Sequence, residues 1–541
     1  MKFCWTLLLL VCVLTLPAAI VHPVSSASQP TPYDLVIRNA RVIDGSGKPA
    51  FKADIAIKDG RIARLGKIKA SEARQAIDAQ GQIVAPGFID VHTHVESIYS
   101  LPAAENFIRM GVTSLITGNC GTSTTDVAQF LGRLKEIPIT VNLGTLIAHG
   151  SVRRKVMGLD DRAPTPDELK QMEAVVEQGM KDGAVGLSTG LIYVPGIYAK
   201  TDEIVALAKV AAHYGGLYAT HMRNEGEFVA DAIKESIQIG EQAGLPVEIS
   251  HFKISNRKLW GQSPMTIGLV QAARTRGLRV TVDQYAYTAS STSLDSRLPA
   301  WLRAGGFEAA KKRLAEPGTR ERVVAEMTEG LSRSGFKDYD YAVVASYEPD
   351  QSFNGKSIAR ITKEVTGKTD VQSQIEQIVK MYEAGGAGMI YHGMDENDVQ
   401  RIMKEPFTMI ASDSGVRQAD ESVPHPRGYG NNARVLGHYV RELKLISLED
   451  AVRKMTSLPA QTFGLSDRGF VREGFAADLV IFDKNKIIDR ATYDNPHQFP
   501  AGFSYVLVNG EVVLLGDQLT AARPGVALLG HGYQSLKNAT Q

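Results

Sequence analysis

The chain has 541 residues, 44% of them hydrophobic, which is enough apolar material for a large core and more than one folding unit. Lys and Arg (60) nearly balance Asp and Glu (59), leaving a formal net charge of +1 with no long basic run. That balance argues against nucleic acid or an anionic membrane as the partner and favours a small neutral or singly charged molecule.

In chain order, Lys2 precedes an apolar stretch over residues 3–16, followed by small residues including Ser25, Ser26 and Ala27. This is the order of a secretory signal, so residues 1–27 are expected to be a signal peptide and the mature protein to be exported, periplasmic or secreted. The apolar stretch is shorter than the ~20 residues of a spanning helix, so no membrane association is expected after its removal. Cys4 and Cys12 fall in this segment, leaving Cys120 as the one cysteine of the mature chain and excluding an intrachain disulfide there.

Residues 33–85 carry alternating strands punctuated by glycine turns, such as Asp59-Gly60. A similar pattern returns over residues 466–525, so a small β-sandwich built from both chain ends is expected, interrupted by the unit between them. That unit, residues 86–465, alternates short apolar runs with amphipathic stretches. Eight strands are expected at 88–95, 111–118, 137–144, 184–190, 215–222, 246–253, 280–287 and 407–414, with helices at 166–180, 201–212, 226–243 and 265–275 among them. The fold class that follows is α/β, a TIM-like (β/α)8 barrel, in which chemistry collects at the C-terminal strand ends. The interval 288–406, between strands 7 and 8, is too long for an ordinary connection and reads as an insertion, either capping the active site or decorating the periphery.

His92 and His94 sit in Gly87-Phe88-Ile89-Asp90-Val91-His92-Thr93-His94, where residues two apart on a strand face one side. Cys120, His221, His251 and Asp413 fall at or near the ends of later strands. Taken singly, Cys120 reads equally as a small buried hydrophobe, the histidines as satisfied core residues and Asp413 as a helix cap. Their joint placement at successive strand ends points to a metal. Imidazole and thiolate together favour Zn2+, and Cys120, His221 and His251 would provide three ligands with one position open. Zinc lowers the pKa of water from 15.7 to about 7, which suits amide hydrolysis. Asp413 is the carboxylate placed to accept the water proton and pass it to the leaving amine.

These segments, together with Gly118-Asn119-Cys120-Gly121, Gly186-Leu187-Ser188-Thr189-Gly190-Leu191-Ile192-Tyr193-Val194-Pro195-Gly196, His221-Met222-Arg223-Asn224-Glu225 and Ser250-His251-Phe252-Lys253, resemble the N-acyl-D-amino-acid deacylases of the metal-dependent amidohydrolase superfamily. The resemblance implies zinc-dependent hydrolysis of N-acyl-D-amino acids to a carboxylate and a free D-amino acid. It implies a tight zinc site from Cys120, His221 and His251, and an adjacent weaker or empty site from His92, His94 and Asp413. It also implies that Lys253, Tyr287 and Arg427 hold the substrate carboxylate and that Tyr193 helps polarise the scissile carbonyl. Strand four, 184–190, lacks the lysine with which relatives acting on cyclic amides often bridge two metals.

Two departures from the family pattern stand out: Asp413 is followed by Ser414-Gly415, and the stretch to Arg427 is long. His149 and His392 are left without a role. A related amidohydrolase acting on a cyclic amide or a D-residue-containing dipeptide, or a non-catalytic barrel used as a scaffold, are the other readings. The preferred side chain, acyl group, metal count and oligomeric state are not legible.

Overall fold

The computed structural model describes residues 31–533. The signal segment expected at 1–27 lies outside the described residues. Among those described, no helix is long and apolar enough to cross a membrane.

Eight parallel strands form the barrel: Phe88–Asp90, Val112–Thr117, Asn142–Thr145 with Ile147–Ala148, Gly186–Gly190, Leu217–His221, Val247–Ile249, Val280–Gln284 and Thr408–Ile410. They are buried on both faces because helices cover the outside and packed side chains fill the inside; every residue of Val112–Thr117, for example, is buried. The third strand is interrupted at Leu146. Its first half pairs with the second strand and its second half with the fourth. The amide of Leu146 still donates to the carbonyl of Thr117, so the ring stays continuous across the break.

The helices start and stop where local chemistry directs. Helix Pro166–Lys181 opens on a reciprocal cap between Thr165 and Glu168, with proline in its first turn where no amide hydrogen is needed. It buries Met172, Val176, Gly179 and Met180, one face at helical spacing. Helix Val229–Ala243 ends at Gly244, whose φ of 74° lets the last carbonyls be satisfied.

The two chain ends combine in a single hydrogen-bonded sheet, where a small sandwich was expected. Strands Tyr33–Val42, Phe51–Lys58, Arg61–Gly66, Ala73–Asp78 and Ile83–Pro86 join Leu479–Phe482, Phe503–Val508, Glu511–Leu515 and Gln518–Leu519 through antiparallel pairing of Leu479–Phe482 with Ile83–Pro86. Leu35, Ile37, Ile55, Ile57, Leu479, Ile481 and Leu507 alternate inward and form its core.

The insertion has its own three-stranded antiparallel sheet, Ser290–Ser293, Gly388–Tyr391 and Ala342–Ser346, and its own apolar core. It ends earlier than the sequence boundary of 406. Helix Glu396–Lys404 buries Val399, Ile402 and Met403 in the barrel core, and is the barrel helix that precedes the last strand.

Candidate active site

The barrel closes at the residues of chemical interest. Beyond the end of the first strand, the amide of Asp413 donates to the carbonyl of His92 and the amide of His94 to that of Ser414, each at 2.9 Å. Thr93 and Ser414 form the bridge between first and last strands. Asp90 fastens the seam from below by accepting from the amides of Ser412 and His92.

Six side chains converge above this seam. The Cys120 sulfur lies 3.3 Å from His92 Nε2, 3.7 Å from His221 Nδ1 and 3.7 Å from His251 Nε2. Asp413 Oδ1 lies 3.6 Å from His92 Nε2 and 3.2 Å from His94 Nε2. Within each of three groups, His92-His94-Cys120, Cys120-His221-His251 and His92-His251-Asp413, the ligand atoms all lie within 4.8 Å of one another. Around a tetrahedral zinc with Zn–S about 2.3 Å and Zn–N about 2.0 Å, the S···N edge is about 3.5 Å. The observed Cys120 separations bracket that edge, so the donor set fits a zinc-sized ion in both spacing and chemistry.

The backbone supports the same reading. Cys120, His251 and Asp413 have φ of 53°, 37° and 50°, left-handed values that a non-glycine residue adopts at a cost of about 1–3 kcal/mol. Three of the six converging residues carry this strain, which aims their side chains inward at the strand ends. Gly190, at the end of the fourth strand, allows the close approach: a Cβ there would stand 2.0 Å from the Cys120 carbonyl oxygen.

Carboxylates behind the imidazoles set their orientation. Asp283 accepts from His92 Nδ1 at 2.9 Å, and Glu225 lies 2.9 Å from His251 Nδ1. Such partners fix the tautomer and raise ligand basicity. Burial pushes the Cys120 thiol up, but His92, His221 and His251 outweigh it and hold the group well below the ordinary thiol range, as a metal ligand requires. Burial likewise raises Asp413, and the Arg427 guanidinium at 3.0 Å together with His92 and His94 overcomes this, keeping the carboxyl ionised.

This cluster stands at the wall of a cavity of about 1110 Å3 whose other side is formed by the insertion. The insertion therefore covers the site. Tyr193 lies in the wall with its ring 4.9 Å from that of His221 and its hydroxyl 3.0 Å from Thr292 Oγ1. Lys253 and Arg427 are also in the wall, but both are already neutralised. Lys253 Nζ is 2.5 Å from Glu225 and donates to the His251 carbonyl, while Arg427 pairs with Asp413.

Tyr287 is a correction. Its hydroxyl donates to Asp489 at 3.4 Å, outside the cavity wall, because it lies past the end of its strand at Gln284 and the turn is pinned by the Ala286 amide on Asn431 Oδ1. Tyr285 also stays behind the cavity wall: its ring lies 4.5 Å from the Arg427 guanidinium and 5.9 Å from Lys253 Nζ, and its hydroxyl donates to Met394 Sδ at 3.6 Å.

Sequence reasoning missed Glu225, Asp283 and Arg417. Glu225 stands four residues after His221 and Asp283 is the next-to-last residue of the seventh strand, both readable as partners of a metal-binding histidine. Arg417 had no signal, since it lies in the irregular loop after Asp413. It lines the cavity, its Nε donating to Ser414 Oγ at 3.2 Å. His149 is accounted for: with Arg153 it binds the buried carboxylate of Glu203 on a neighbouring helix, away from the cavity lining.

The amidohydrolase family profile matches residues 75–514. A D-aminoacylase of Alcaligenes xylosoxydans xylosoxydans is 34% identical over 529 residues, covering 93% of this chain and 99% of the relative. An N-acyl-D-glutamate deacylase of the same organism is 35% identical, covering 88% and 93%. The crystal structure of an N-acyl-D-glutamate deacylase from Bordetella bronchiseptica, complexed with zinc and a phosphonate inhibitor that mimics the tetrahedral intermediate, superposes with a TM-score of 0.78 at 33% identity, covering 92% of this chain and 100% of that one.

Proposed function

The chain belongs to the amidohydrolase family, and we propose that it is a zinc-dependent hydrolase that cleaves the amide bond of N-acyl-D-amino acids, releasing a carboxylate and a free D-amino acid. The observation that carries this reading is the convergence of the Cys120 sulfur and the His92, His221 and His251 imidazoles beside an ionised Asp413 at the wall of one cavity. Cys120, His221 and His251 would hold the tight ion, with His92, His94 and Asp413 forming an adjacent, weaker site. When bound, zinc supplies Lewis acidity, making water ionise near neutral pH and polarising a carbonyl oxygen.

The remaining work falls to the chain. Asp413, kept ionised by Arg427, accepts the proton of the attacking water and returns it to the amide nitrogen as the C–N bond breaks. Tyr193 is held neutral by burial, so its hydroxyl serves as a donor to the carbonyl oxygen as charge develops there. Arg427 and Arg417, beside Asp413 and Ser414, receive the substrate carboxylate; Lys253 acts through Glu225 and His251, holding the imidazole in place. The insertion shields this chemistry from bulk water. The order of charged, apolar and small residues over 1–27 supports export of the mature enzyme.

The test is a panel of N-acetyl-D-methionine, N-acetyl-D-glutamate, their L-isomers and dihydrouracil, with zinc content measured on the same sample. Turnover of the D-isomers with at least one zinc per chain is expected. Turnover of dihydrouracil alone would replace this reading with that of a cyclic amidase, against which the absence of lysine from strand Gly186–Gly190 already argues.

A further inference from the structure

The insertion reaches the reaction centre through Thr292. Its strand Ser290–Ser293 lines the cavity, and Thr292 Oγ1 lies 3.0 Å from the hydroxyl of Tyr193 on the barrel side. Among the described residues, no other hydrogen-bond partner meets the Tyr193 hydroxyl.

Both sides of this contact are fixed. On the barrel side, the Tyr193 amide donates to the Gly190 carbonyl at 3.1 Å, and the ring stands edge-on to His221 with centroids 4.9 Å apart. On the insertion side, the strand pairs antiparallel with Gly388–Tyr391, and Thr292 stands opposite the buried Met389. The segment that carries Arg427 grips the same strand: His425 Nε2 donates to the Ala289 carbonyl at 2.8 Å and Arg427 Nη2 to the Ser291 carbonyl at 3.3 Å. Thr292 follows Ser291 directly, so at about 3.3 Å per strand residue the backbone sets the spacing between the arginine and the tyrosine.

A phenolic hydroxyl has one proton to give, and while that proton goes to Thr292 it is not available to a substrate. A threonine hydroxyl rotates and can donate as well as accept. Once Thr292 donates, the Tyr193 oxygen accepts that bond and its own proton is free for the carbonyl oxygen. Hydrogen bonds in such a chain polarise one another, which makes Tyr193 a better donor as charge develops on the carbonyl.

We propose that Thr292 is a positioning residue for the hydrolysis: its hydroxyl donates to the Tyr193 oxygen and so directs the phenolic proton at the scissile carbonyl. The insertion thereby contributes to the chemistry as well as covering it. The inference rests on the deacylase reading and on the role of Tyr193 within it.

The test uses zinc-loaded enzyme, N-acetyl-D-methionine, and a phosphonate analogue of that substrate whose tetrahedral oxygens stand in for the attacked carbonyl. Thr292→Val keeps the shape and removes the hydroxyl. It is expected to lower kcat about 10-fold with KM within about threefold, the loss of one hydrogen bond made in the transition state. Calorimetry is expected to show the phosphonate bound about 10-fold more weakly and the product D-methionine unchanged within about twofold. Thr292→Ser is expected to restore both. In a Tyr193→Phe background, itself about 100-fold slower, Thr292→Val is expected to cost less than about twofold, because the oxygen it serves is gone.

An undiminished kcat in Thr292→Val would overturn the inference and leave the deacylase reading intact. The same would follow from an equal loss with and without the Tyr193 hydroxyl, which would show that Thr292 does not act through it. A lower melting temperature with phosphonate and product weakened alike, and no rescue by Thr292→Ser, would assign Thr292 to folding and overturn the inference too. Where Thr292→Val fails to fold, Thr292→Ala against Thr292→Ser carries the same comparison. No hydrolysis by wild type would overturn both readings.

Discussion

The amide of Asp413 donates to the carbonyl of His92 at 2.9 Å, so the same pair that closes the barrel also presents a carboxylate and an imidazole to one space, Asp413 Oδ1 standing 3.6 Å from His92 Nε2. Closure and chemistry are thus one arrangement. A change that loosens the seam between first and last strands is felt directly in the position of the proton acceptor.

Replacing that acceptor isolates its role. Asp413→Asn keeps the shape and the backbone bond to His92 but removes proton acceptance, and kcat is expected to fall by about 10²–10⁴-fold. Melting temperature and tightly bound zinc should change little, because Cys120, His221 and His251 are untouched. Activity near that of wild type would remove Asp413 from the mechanism.

Gly190 tests the close approach on which Cys120 depends. A methyl group there would meet the Cys120 carbonyl oxygen at 2.0 Å, so Gly190→Ala must displace the strained turn carrying the sulfur. Overpacking of this kind costs about 1–3 kcal/mol. The expected result is a lower melting temperature and zinc lost on dialysis against a mild chelator; full zinc retention would show that the turn relaxes freely.

Glu225 orients His251 and neutralises Lys253, at 2.9 and 2.5 Å. Removing its charge in Glu225→Gln is expected to weaken zinc binding about 10–100-fold, read by competition with a chromophoric chelator. Unchanged affinity would mean that the imidazole is held by packing alone.

Lys454 links stability to pH far from the site. Its side chain is fully buried, its Nζ donating to the carbonyls of Glu405 and Thr408, and burial pushes its pKa from 10.5 down to about 8. Between those values the unfolded chain holds a proton that the folded chain has released, so stability rises with pH across that window. The position carries a penalty below about pH 8, on the order of 3 kcal/mol. Melting temperatures of wild type and Lys454→Met at pH 7 and pH 10 should therefore show the wild type gaining on the variant by a few degrees as pH rises. A constant difference would show that Lys454 is not desolvated.

The legible part of the fold was the part in which one periodicity runs through a whole element. Strands such as Val112–Thr117 are buried on both faces and stand out as apolar runs, and the expected helix at 166–180 matches Pro166–Lys181 to within one residue. The break at Leu146 was not legible, because the strand expected at 137–144 stops short of it and Thr145-Leu146-Ile147-Ala148 contains no glycine or proline to mark an interruption. Nor was the end of the insertion: helix Glu396–Lys404 joins the barrel through Val399, Ile402 and Met403, an apolar face that would suit either core.

By itself, the order of residues determined that a thiol, four imidazoles and a carboxylate fall at the ends of barrel strands, because strand periodicity and residue chemistry are local properties. Only the tertiary structure decided how charge is shared among them. Lys253 and Arg427 are neutralised by Glu225 and Asp413, Tyr287 turns to Asp489, and Arg297 and Arg417 keep uncompensated charge at the cavity. The physical reason is distance. An ion pair or a hydrogen bond forms between groups brought within a few ångströms of each other, and for the ion pair of Arg427 with Asp413, or the hydrogen bond of Tyr287 to Asp489, that proximity is made by loops and by chain segments remote in sequence, where no repeating pattern records it.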